Sequence, residues 1–396
     1  MSEWREVTLG DVIELKRGYD LPKRARADGP FPIVSSSGIS GTHAESKVRG
    51  PGVVTGRYGT LGEVFYLTED YWPLNTSLYV RDFKGNNPRF VAALLEWMDL
   101  AQHDGAAAVP GLNRNQLHNV PVCVPDRSSQ DRIASIVASI DDLIENNRQR
   151  VEVLEEMARA IYQEWFVRFR YPGYEDVPLV DSPIGPIPDG WTLSACGDEL
   201  TVLGGGTPSK RESAYWDGGT IRWFTPSDLT KSALRYTGEP EMKITAEGLA
   251  RSSARLFPAG SVMMTSRATL GVLAIATVEA TTNQGFIVIP PDERWCPGFI
   301  YQWLDWHADD LSAVATGATF KEITKGAFKR VPFVLPAQLI LDAHRAFTTP
   351  IEGQIRVIEG QTRSLTSLRN LLLPRLVTGV IDVSHLDLDA VLDSVA

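Results

Sequence analysis

Polar and basic residues are concentrated in short stretches between the apolar segments, and their types suit contacts with nucleic acid. Arg and Lys bind phosphate groups, while Arg, Lys, Asn, Gln, Ser and Thr also reach base edges. The candidate DNA-binding residues are Lys23, Arg24, Arg26, Ser36, Arg57, Tyr58, Thr60, Asn75, Asn113 and Arg114 in the first half of the chain, and Thr207, Ser209, Lys210, Arg211, Ser227, Arg267, Thr269, Asn283, Thr319 and Lys321 in the second. The structural alternative is that Asn75 and Asn283 cap turns and that the serine-rich loops are only solvated.

No set of residues forms a recognisable catalytic constellation. Asn87–Phe90 resembles the Asn-Pro-Pro-aromatic motif of amino-methyltransferases, but Arg89 replaces the second proline and no cofactor-binding glycine motif accompanies it, which favours a turn before a helix. Pro291–Arg294 lacks the upstream acid and the lysine of a nuclease signature and is interpreted as a polar turn. The chain has no ATP-binding glycine loop, and Gly204–Gly206 is interpreted as a flexible turn. The six histidines have no ligand spacing, so we expect no catalytic residue and no metal.

Composition limits the class of protein further. A chain of 396 residues predicts two or three domains, and 43% apolar with 22% charged residues is typical of a globular protein. The charged N-terminal stretch is unlike a signal peptide and no apolar run suits a membrane span, so we expect a cytoplasmic protein. The net charge of −10 argues mildly against coating of nucleic acid. However, residues 1–125 carry 13 basic against 14 acidic side chains and residues 191–337 carry 14 against 15, so DNA binding stays open.

An internal repeat places the candidate residues in two equivalent sets, because four sequence blocks recur in the same order. The blocks pair Trp4–Asp11 with Trp191–Asp198, Gly52–Gly62 with Gly260–Gly271, Asn75–Thr76 with Asn283–Gln284, and Val120–Pro125 with Val331–Pro336. The offset grows from 187 to 211 residues, so the second copy is 24 residues longer. This alignment makes Arg57 equivalent to Arg267 and Asn75 equivalent to Asn283.

Each copy begins with short strands and loops that are interrupted by one helix. In the first copy, Val53–Thr55, Val64–Leu67 and Ser77–Val80 are predicted strands, bounded by Gly, Pro and Ser clusters. The predicted helices are Phe90–Leu100 in the first copy and Phe299–His307 in the second. We therefore predict an α+β fold with two repeated mixed α/β domains, separated by a pair of long helices.

A long helix is predicted after each of these domains. Over residues 133–165, apolar residues recur at alternating spacings of four and three, which is the seam of a coiled coil with Asn147 as its one polar member. Residues 344–376 carry a weaker seam in the same phase, but Pro336 and Pro350 predict that this helix starts late or is kinked. We expect the two helices to pack on each other as an antiparallel coiled coil. The alternative is that each helix covers only its own domain.

Large apolar side chains near the helix ends exceed what a two-helix seam can bury. They predict either packing against the other copy's domain or a partner interface. The residues assigned to the partner interface are Ile161, Trp165, Phe166, Leu372 and Leu376. Between the copies, residues 171–190 contain five prolines, four acids and no base, which predicts a stiff, extended connector.

The predicted organisation is a head followed by a helix, repeated once. The segments are a first head (1–125), a first spacer helix (126–170), the connector (171–190), a second head (191–337), a second spacer helix (338–378) and a C-terminal tail (379–396). Two such copies are expected to be related by a pseudo-two-fold axis, as subunits of homodimers are. If that axis crosses antiparallel helices at right angles, the chain holds two similar heads at a fixed separation. Double-stranded DNA is the ligand that most naturally presents two sites at a fixed distance.

The sequence also resembles a known family, the specificity subunits of type I restriction-modification systems. The resemblance covers nearly the whole chain. Its most specific parts are the connector (YPGYED…VDSPIGPIPDGW), the end of the second helix (LRNLLLPRLVTGVIDV) and the opening of the second head (GGTPSKRESAYW…IRWFTPSDL). The resemblance implies that each head is a target recognition domain for one half of a bipartite site. It also implies that the helices act as a spacer and dock two methyltransferase subunits, which restriction and translocase subunits join.

These implications predict a non-catalytic DNA-recognition subunit that binds no cofactor itself. S-adenosylmethionine, ATP and Mg²⁺ are expected on the partner subunits. Two alternatives stay open, namely a stand-alone two-headed DNA-binding regulator and an enzyme with an unrecognised active site. Co-purification with a methyltransferase separates the first alternative from the family interpretation, and methylation assays on the isolated chain test the second.

Overall fold

The computed structural model describes residues 4–103, 111–267, 269–317 and 321–384, which divide into two units. Unit 1 consists of the residues up to Asn146 and from Arg363 onward, and unit 2 consists of Asn147–Thr362. Each unit therefore contains one head and a segment of both long helices. Among the described residues, none of the helices combines the length and the apolar character needed to cross a membrane.

Unit 1 is built from short strands that surround one amphipathic helix. Its elements are β1 (Arg5–Thr8), α1 (Leu9–Val12), β2 (Glu14–Arg17), β3 (Phe31–Ser35), β4 (Gly38–His43), β5 (Gly52–Gly56), β6 (Val64–Leu67), β7 (Trp72–Pro73), β8 (Ser77–Asp82), α2 (Pro88–Trp97), α3 (Arg114–His118), β9 (Pro121–Val124) and the first part of α4 (Arg127–Tyr162). The sheets have the strand orders β2-β8-β5-β6, β4-β3-β7 and β1-β9. The buried face of α2 and the apolar strand residues form the main core, so the predicted strands and helix are confirmed.

Unit 2 repeats this arrangement with additional elements. Its elements are the second part of α4, β10 (Leu179–Val180), β11 (Ile187–Pro188), β12 (Thr192–Ala195), α5 (Cys196–Glu199), β13 (Leu203–Gly204), β14 (Ile221–Phe224), α6 (Pro226–Ser232), β15 (Tyr236–Thr237), β16 (Met242–Ile244), α7 (Ala246–Ala250), β17 (Val262–Thr265), β18 (Leu273–Ala276), β19 (Thr281–Thr282), β20 (Phe286–Ile289), α8 (Pro297–Trp306), α9 (Ala308–Ala313), α10 (Lys325–Lys329), β21 (Pro332–Leu335) and the first part of α11 (Gln338–Val377), whose last part belongs to unit 1.

The strand orders confirm that the two heads are copies of one fold. Unit 2 has sheets in the orders β13-β20-β17-β18-β15, β16-β14-β19 and β12-β21, which match those of unit 1 except for the added strand β15. The first and last strands of each head pair antiparallel, with Thr8 opposite Pro121 and Ala195 opposite Pro332. The elements α6, β15 and α7 have no counterpart in unit 1 and lie in the part of the second copy that the longer sequence adds.

Both long helices form as the heptad pattern predicts. Each predicted seam position from residue 133 to 165 and from 344 to 376 is buried or half-buried. The predicted late start of the second helix is wrong, because α11 begins at Gln338, two residues after Pro336, and continues through Pro350. A proline removes one helical hydrogen bond, and the apolar seam on both sides of it is buried, which holds the helix together.

The helix segments run antiparallel within each unit. In unit 1, Asp141 of α4 pairs with Arg369 of α11. Nearer the start of α4, Arg132 donates to the carbonyl of Ser384, which follows the end of α11, at 3.0 Å. In unit 2, α4 is followed by a π-helical turn, Gln163–Val167, in which the ring centroid of Trp165 lies 5.6 Å from that of Phe347 and the ring centroid of Phe166 lies 4.9 Å from that of His344. In both units, residues later in α4 contact residues earlier in the second helical segment, as antiparallel helices do.

The connector is structured rather than extended, so that prediction is wrong. The strands β10 and β11 pair antiparallel, with Leu179 opposite Pro188. Tyr171 and Trp191, at the two ends of the connector, stack with their ring centroids 5.5 Å apart. Burial of these rings against Trp165 closes the segment on itself.

The same packing corrects the predicted partner interface. Trp165 and Leu376 are buried, and Ile161, Phe166 and Leu372 are half-buried against the core of their own units. Packing against the other copy's head is therefore the correct alternative for Trp165 and Leu376, and their assignment to an accessible partner surface is wrong. Removing an aromatic ring or a leucine side chain from water stabilises the folded unit, so these side chains are buried within it.

His344 is a polar residue in an otherwise apolar seam. It is 1% exposed, it lies among the rings of Trp165, Phe166 and Phe299, and neither ring nitrogen has a hydrogen-bond partner in the described part of the chain. Burial lowers the pKa of His344 to about 4. The equivalent position in the first helix holds Ile133, which is fully buried.

Replacement of His344 by isoleucine is expected to stabilise unit 2 and to reduce its sensitivity to acid. The unfolded chain binds a proton at this histidine below pH 6.5 and the folded chain only near pH 4, so the wild-type protein loses stability as the pH falls between these values. At pH 5 this loss is about 2 kcal/mol, at about 1.4 kcal/mol per pH unit. Urea unfolding at pH 8 and pH 5 measures the effect, and an equal decline in both proteins would contradict it.

Candidate nucleic-acid interface

Four loops of unit 1 meet at one place, which we call loop cluster 1 (Ser36, Arg57–Thr60, Asn75–Thr76 and Gly111–Arg114). The backbone N–H groups of Arg57 and Tyr58 donate to the carbonyl of Thr76 at 2.9 and 3.2 Å, and the N–H of Leu112 donates to the carbonyl of Arg57 at 3.0 Å. Ser36 adjoins this loop, because a Cβ atom at Gly59 would lie 3.5 Å from its Oγ atom. Seven of the ten candidates in the first half of the chain therefore belong to this cluster, counting Asn113 and Arg114.

Unit 2 has the corresponding loop cluster 2 (Gly205–Thr207, Ser266–Arg267, Asn283–Gly285 and Lys321–Ile323). The N–H of Ser266 donates to the carbonyl of Gly285 at 2.8 Å, and the N–H of Ile323 donates to the carbonyl of Ser266 at 3.0 Å. Thr207 donates to the side-chain oxygen of Gln284 at 2.6 Å. The loops that the repeat made equivalent thus have equivalent neighbours.

The strands that support the two clusters show that the sequence alignment of the copies is shifted by one residue there. In unit 1, Gly56 of β5 lies opposite Ser77 of β8, and in unit 2, Thr265 of β17 lies opposite Phe286 of β20. The residue after each strand, Arg57 in unit 1 and Ser266 in unit 2, donates one backbone hydrogen bond and accepts one from equivalent loops. The structural equivalences are Arg57 with Ser266, Tyr58 with Arg267 and Asn75 with Gln284.

The predicted equivalences of Arg57 with Arg267 and of Asn75 with Asn283 are therefore wrong. Both pairs were matched by residue type, and type does not report strand register. A shift of one residue moves a side chain to the opposite face of a strand, so the register decides which side chains are comparable.

Two asparagines in the clusters cap backbone groups. Asn113 is the N-cap of α3 and accepts from the N–H of Asn115 at 3.0 Å. Asn283 accepts from the N–H of Gly285 at 2.8 Å. The capping alternative, which named Asn75 and Asn283, therefore applies to Asn283 and not to Asn75, because Asn75 donates its side-chain amide to the Asp20 carboxylate.

The other three candidates of unit 1 lie outside loop cluster 1. Lys23 and Arg24 are exposed on a single 3₁₀ turn, Lys23–Ala25. Arg26 is half-buried and donates to the carbonyl of Ser40 in β4 at 3.1 Å. Arg26 therefore borders the small sheet β4-β3-β7, and Lys23 and Arg24 precede it on an exposed turn.

The other described candidates of unit 2 lie outside loop cluster 2 and are exposed, as is Lys321 within it. They are Ser209, Lys210, Arg211, Ser227 and Thr269, and Ser227 lies in the first turn of α6 beside the N-cap residue Thr225. Thr319 lies outside the described residues. Within the described ranges, no three His, Cys, Asp or Glu side chains come together as metal ligands would.

Three motifs considered as catalytic have structural roles. Asn87 is the N-cap of α2 and accepts from the N–H groups of Arg89 and Phe90 at 2.8 and 3.1 Å, as the predicted turn requires. Asp292 accepts from the N–H of Trp295 at 2.7 Å in a polar turn. The prediction of a flexible turn at Gly204–Gly206 is wrong, because a Cβ atom at Gly205 would lie 2.1 Å from the carbonyl oxygen of Asn283.

The structure adds two residues that the sequence did not single out. Glu322 pairs with Arg267, with Nη2 and Oε1 2.7 Å apart. Gly111, at the equivalent position of unit 1, lies against the ring of Tyr58. In the sequence, Glu322 is marked only by its place directly after Lys321. An acid next to a base is also common on solvated surfaces, so it does not indicate a site.

Comparison with known proteins identifies the type of domain in each unit. The family model described as the type I restriction modification DNA specificity domain matches residues 1–156 and 188–355. A curated relative, the type I restriction enzyme HindI specificity subunit of Haemophilus influenzae, is 22% identical, and the match covers 96% of this chain and 100% of that protein. The MjaIX specificity subunit of Methanocaldococcus jannaschii is 34% identical, but the match covers only 44% of this chain and 39% of that protein.

A solved structure has the same fold over nearly the whole chain. The S subunit of a type I restriction-modification system from M. genitalium has a TM-score of 0.62 and 13% sequence identity, and the match covers 95% of this chain and 96% of that one. At this identity, the likeness establishes the fold, including the two repeated α+β heads and the long helices.

Proposed function

The chain belongs to the type I restriction-modification DNA specificity family, with the family's domain present twice, and from this premise we propose that each unit reads one half of a bipartite DNA target. The family is the non-catalytic specificity component of its systems, so the chain recognises DNA sequence and is not itself an enzyme. The proposal concerns how the two units divide that task.

The observation that carries this proposal is the presence of one loop cluster in each unit, built on the same strands. Both clusters combine cationic side chains with amide or hydroxyl groups, and these are the groups that contact phosphates and base edges. Their side chains differ at equivalent positions, so the two units are suited to different sequences. A protein with two dissimilar reading sites and one continuous helix pair suits a target with two specified parts.

Specificity subunits of this family work with methyltransferase and restriction subunits and bind DNA. For this chain we infer that two methyltransferase subunits dock on the helices and supply S-adenosylmethionine. ATP and Mg²⁺ then belong to the restriction subunits, which add DNA translocation and cleavage. The helices set the distance between the half-sites.

Reconstitution tests this division of labour. The chain alone is expected to transfer no methyl group, whereas the chain with its methyltransferase subunits is expected to methylate a target with two specified parts. Incorporation of labelled methyl groups into a DNA library, followed by sequencing of the modified molecules, measures both. Methyl transfer by the pure chain, or a target with one continuous specified part, would contradict the proposal.

A further inference from the structure

The two loop clusters carry different side chains at one equivalent position, which is residue 58 in unit 1 and residue 267 in unit 2. The residue just before this position, Arg57 in unit 1 and Ser266 in unit 2, makes the same two backbone hydrogen bonds in both units. Unit 1 has Tyr58 there with Gly111 against it, and unit 2 has Arg267 with Glu322 against it. Gly111 and Glu322 are equivalent because the residues that follow them, Leu112 and Ile323, donate the same backbone bond.

In unit 2 the arginine is oriented by the acid. The Nη2 atom of Arg267 lies 2.7 Å from Oε1 of Glu322, and the two residues also form a β-bridge. The side chain of Arg267 is 45% exposed, and an ion pair with this exposure contributes little stability. A guanidinium has five N–H donors, so one carboxylate contact fixes its direction and leaves donors for a further ligand.

In unit 1 the same position presents an aromatic ring. Tyr58 is 39% exposed, and a Cβ atom at Gly111 would lie 2.4 Å from its Cε1 atom, so only glycine leaves room for the ring. The guanidinium carbon of Arg57 lies 4.5 Å from the ring centroid, and its Nη2 atom donates to the Tyr58 hydroxyl at 3.2 Å. Arg57 is thereby held on the ring, and Tyr58 occupies the place that Arg267 has in unit 2.

A base edge suits the Arg267–Glu322 pair better than a phosphate does. Arginine forms two parallel hydrogen bonds with O6 and N7 of guanine, and this contact depends on the orientation of the guanidinium. A phosphate contact is less demanding in direction, and a carboxylate beside the phosphate would repel it. The presence of Glu322 next to the half-exposed arginine therefore favours guanine as the ligand.

We propose that Arg267, held in place by Glu322, specifies a guanine in the half-site that unit 2 reads, and that residues 58 and 267 are the equivalent specificity-determining positions of the two units. Arg267 contacts the base, and Glu322 is a positioning residue. Unit 1 instead places the ring and the hydroxyl group of Tyr58 at this position. The base pair read there is therefore not specified by an arginine–guanine contact. This inference rests on the proposed function.

The test measures base preference at every position of the target. The full chain is combined with its methyltransferase subunits, and methylation rates are measured on libraries in which one base pair at a time is varied. Arg267→Ala and Arg267→Lys are expected to lose about tenfold or more of the preference for guanine at one position of one half-site, because lysine lacks the planar fork. Glu322→Gln is expected to reduce the same preference a few-fold, and Tyr58→Ala to alter only the other half-site.

Lys321→Ala provides the matched control, because it removes an exposed cation next to Glu322. It is expected to slow methylation of all targets alike without changing any base preference. A uniform loss for Arg267→Ala would assign the arginine to a phosphate and overturn the proposal, and so would an unchanged base preference. An unchanged preference for Glu322→Gln would overturn its positioning role. If the wild-type complex shows no base preference at all, the proposed function itself fails.

Discussion

Insertion of seven residues after Asn147 and seven after Thr362 is expected to lengthen the unspecified gap between the half-sites by up to about three base pairs. These positions lie at the boundary between the units on each helix. A heptad adds about 10 Å to an α-helix and preserves the apolar seam, and DNA advances about 3.4 Å per base pair. The specified bases on either side should not change, because the loop clusters are untouched.

The size of the shift depends on the inclination of the helices to the DNA, and an oblique pair gives a smaller gain. Three base pairs also rotate one half-site by nearly a third of a turn, so some gap lengths are expected to bind poorly. The measurement is methylation of a target library in which only the gap varies. A same-length replacement of the heptad 144–150 by another apolar-seam sequence is the control. A gap preference that stays constant in a folded, active insertion variant would show that the helices do not set the spacing.

Replacement of Arg235 by alanine is expected to destabilise unit 2 by roughly 3–5 kcal/mol, the largest single-residue effect that we predict. Arg235 is 2% exposed, its Nε atom donates to Glu352 of α11 at 3.1 Å, and its guanidinium carbon lies 3.9 Å from the ring centroid of Tyr301. The N–H groups of Arg235 and Tyr236 also donate to the Glu359 carboxylate at 2.7 and 2.8 Å. Without the guanidinium, Glu352 is left in a largely buried site without its partner cation.

Urea unfolding of the full chain measures this loss. Lys231→Ala is the matched control, since Lys231 forms an ion pair with Glu241 in which both side chains are 71% exposed, and little change is expected there. If the alanine variant does not fold, Arg235→Lys keeps the charge and tests the fork geometry. Stability equal to the wild type in Arg235→Lys and Arg235→Ala would show that the buried network does not attach β15 to α11.

The repeat and the heptad pattern were sufficient to predict the two heads and the two long helices. Both signals depend on residue spacing, and buried strands and helix seams impose that spacing directly. The connector was predicted wrongly, because its prolines are compatible both with an extended chain and with the β10–β11 turn. Pro336 and Pro350 were predicted to delay or kink the second helix. The late start is wrong, because α11 begins at Gln338 and continues through Pro350, where the buried seam outweighs one lost hydrogen bond.

The sequence predicted which loops form the candidate site, but not the strand register that decides which residues of the two copies are equivalent. The loops around residues 57 and 267 do follow equivalent strands, as predicted. Matching Arg57 with Arg267, however, shifted the alignment of the two copies by one residue. The ion pair of Arg267 with Glu322 joins residues far apart in sequence and leaves no local pattern. The network of Arg235 was also beyond prediction, because it lies in the part of the second copy that has no counterpart in the first.

Mapping of methylated adenines in genomic DNA, from cells with and without this gene, tests the central claim most directly. If the chain selects DNA for a type I methyltransferase, its deletion is expected to abolish methylation at one motif only. That motif is expected to have two short specified parts separated by an unspecified gap of fixed length. Loss of no motif, or loss of a motif with a single continuous specified part, would contradict the assignment of two reading units to this chain.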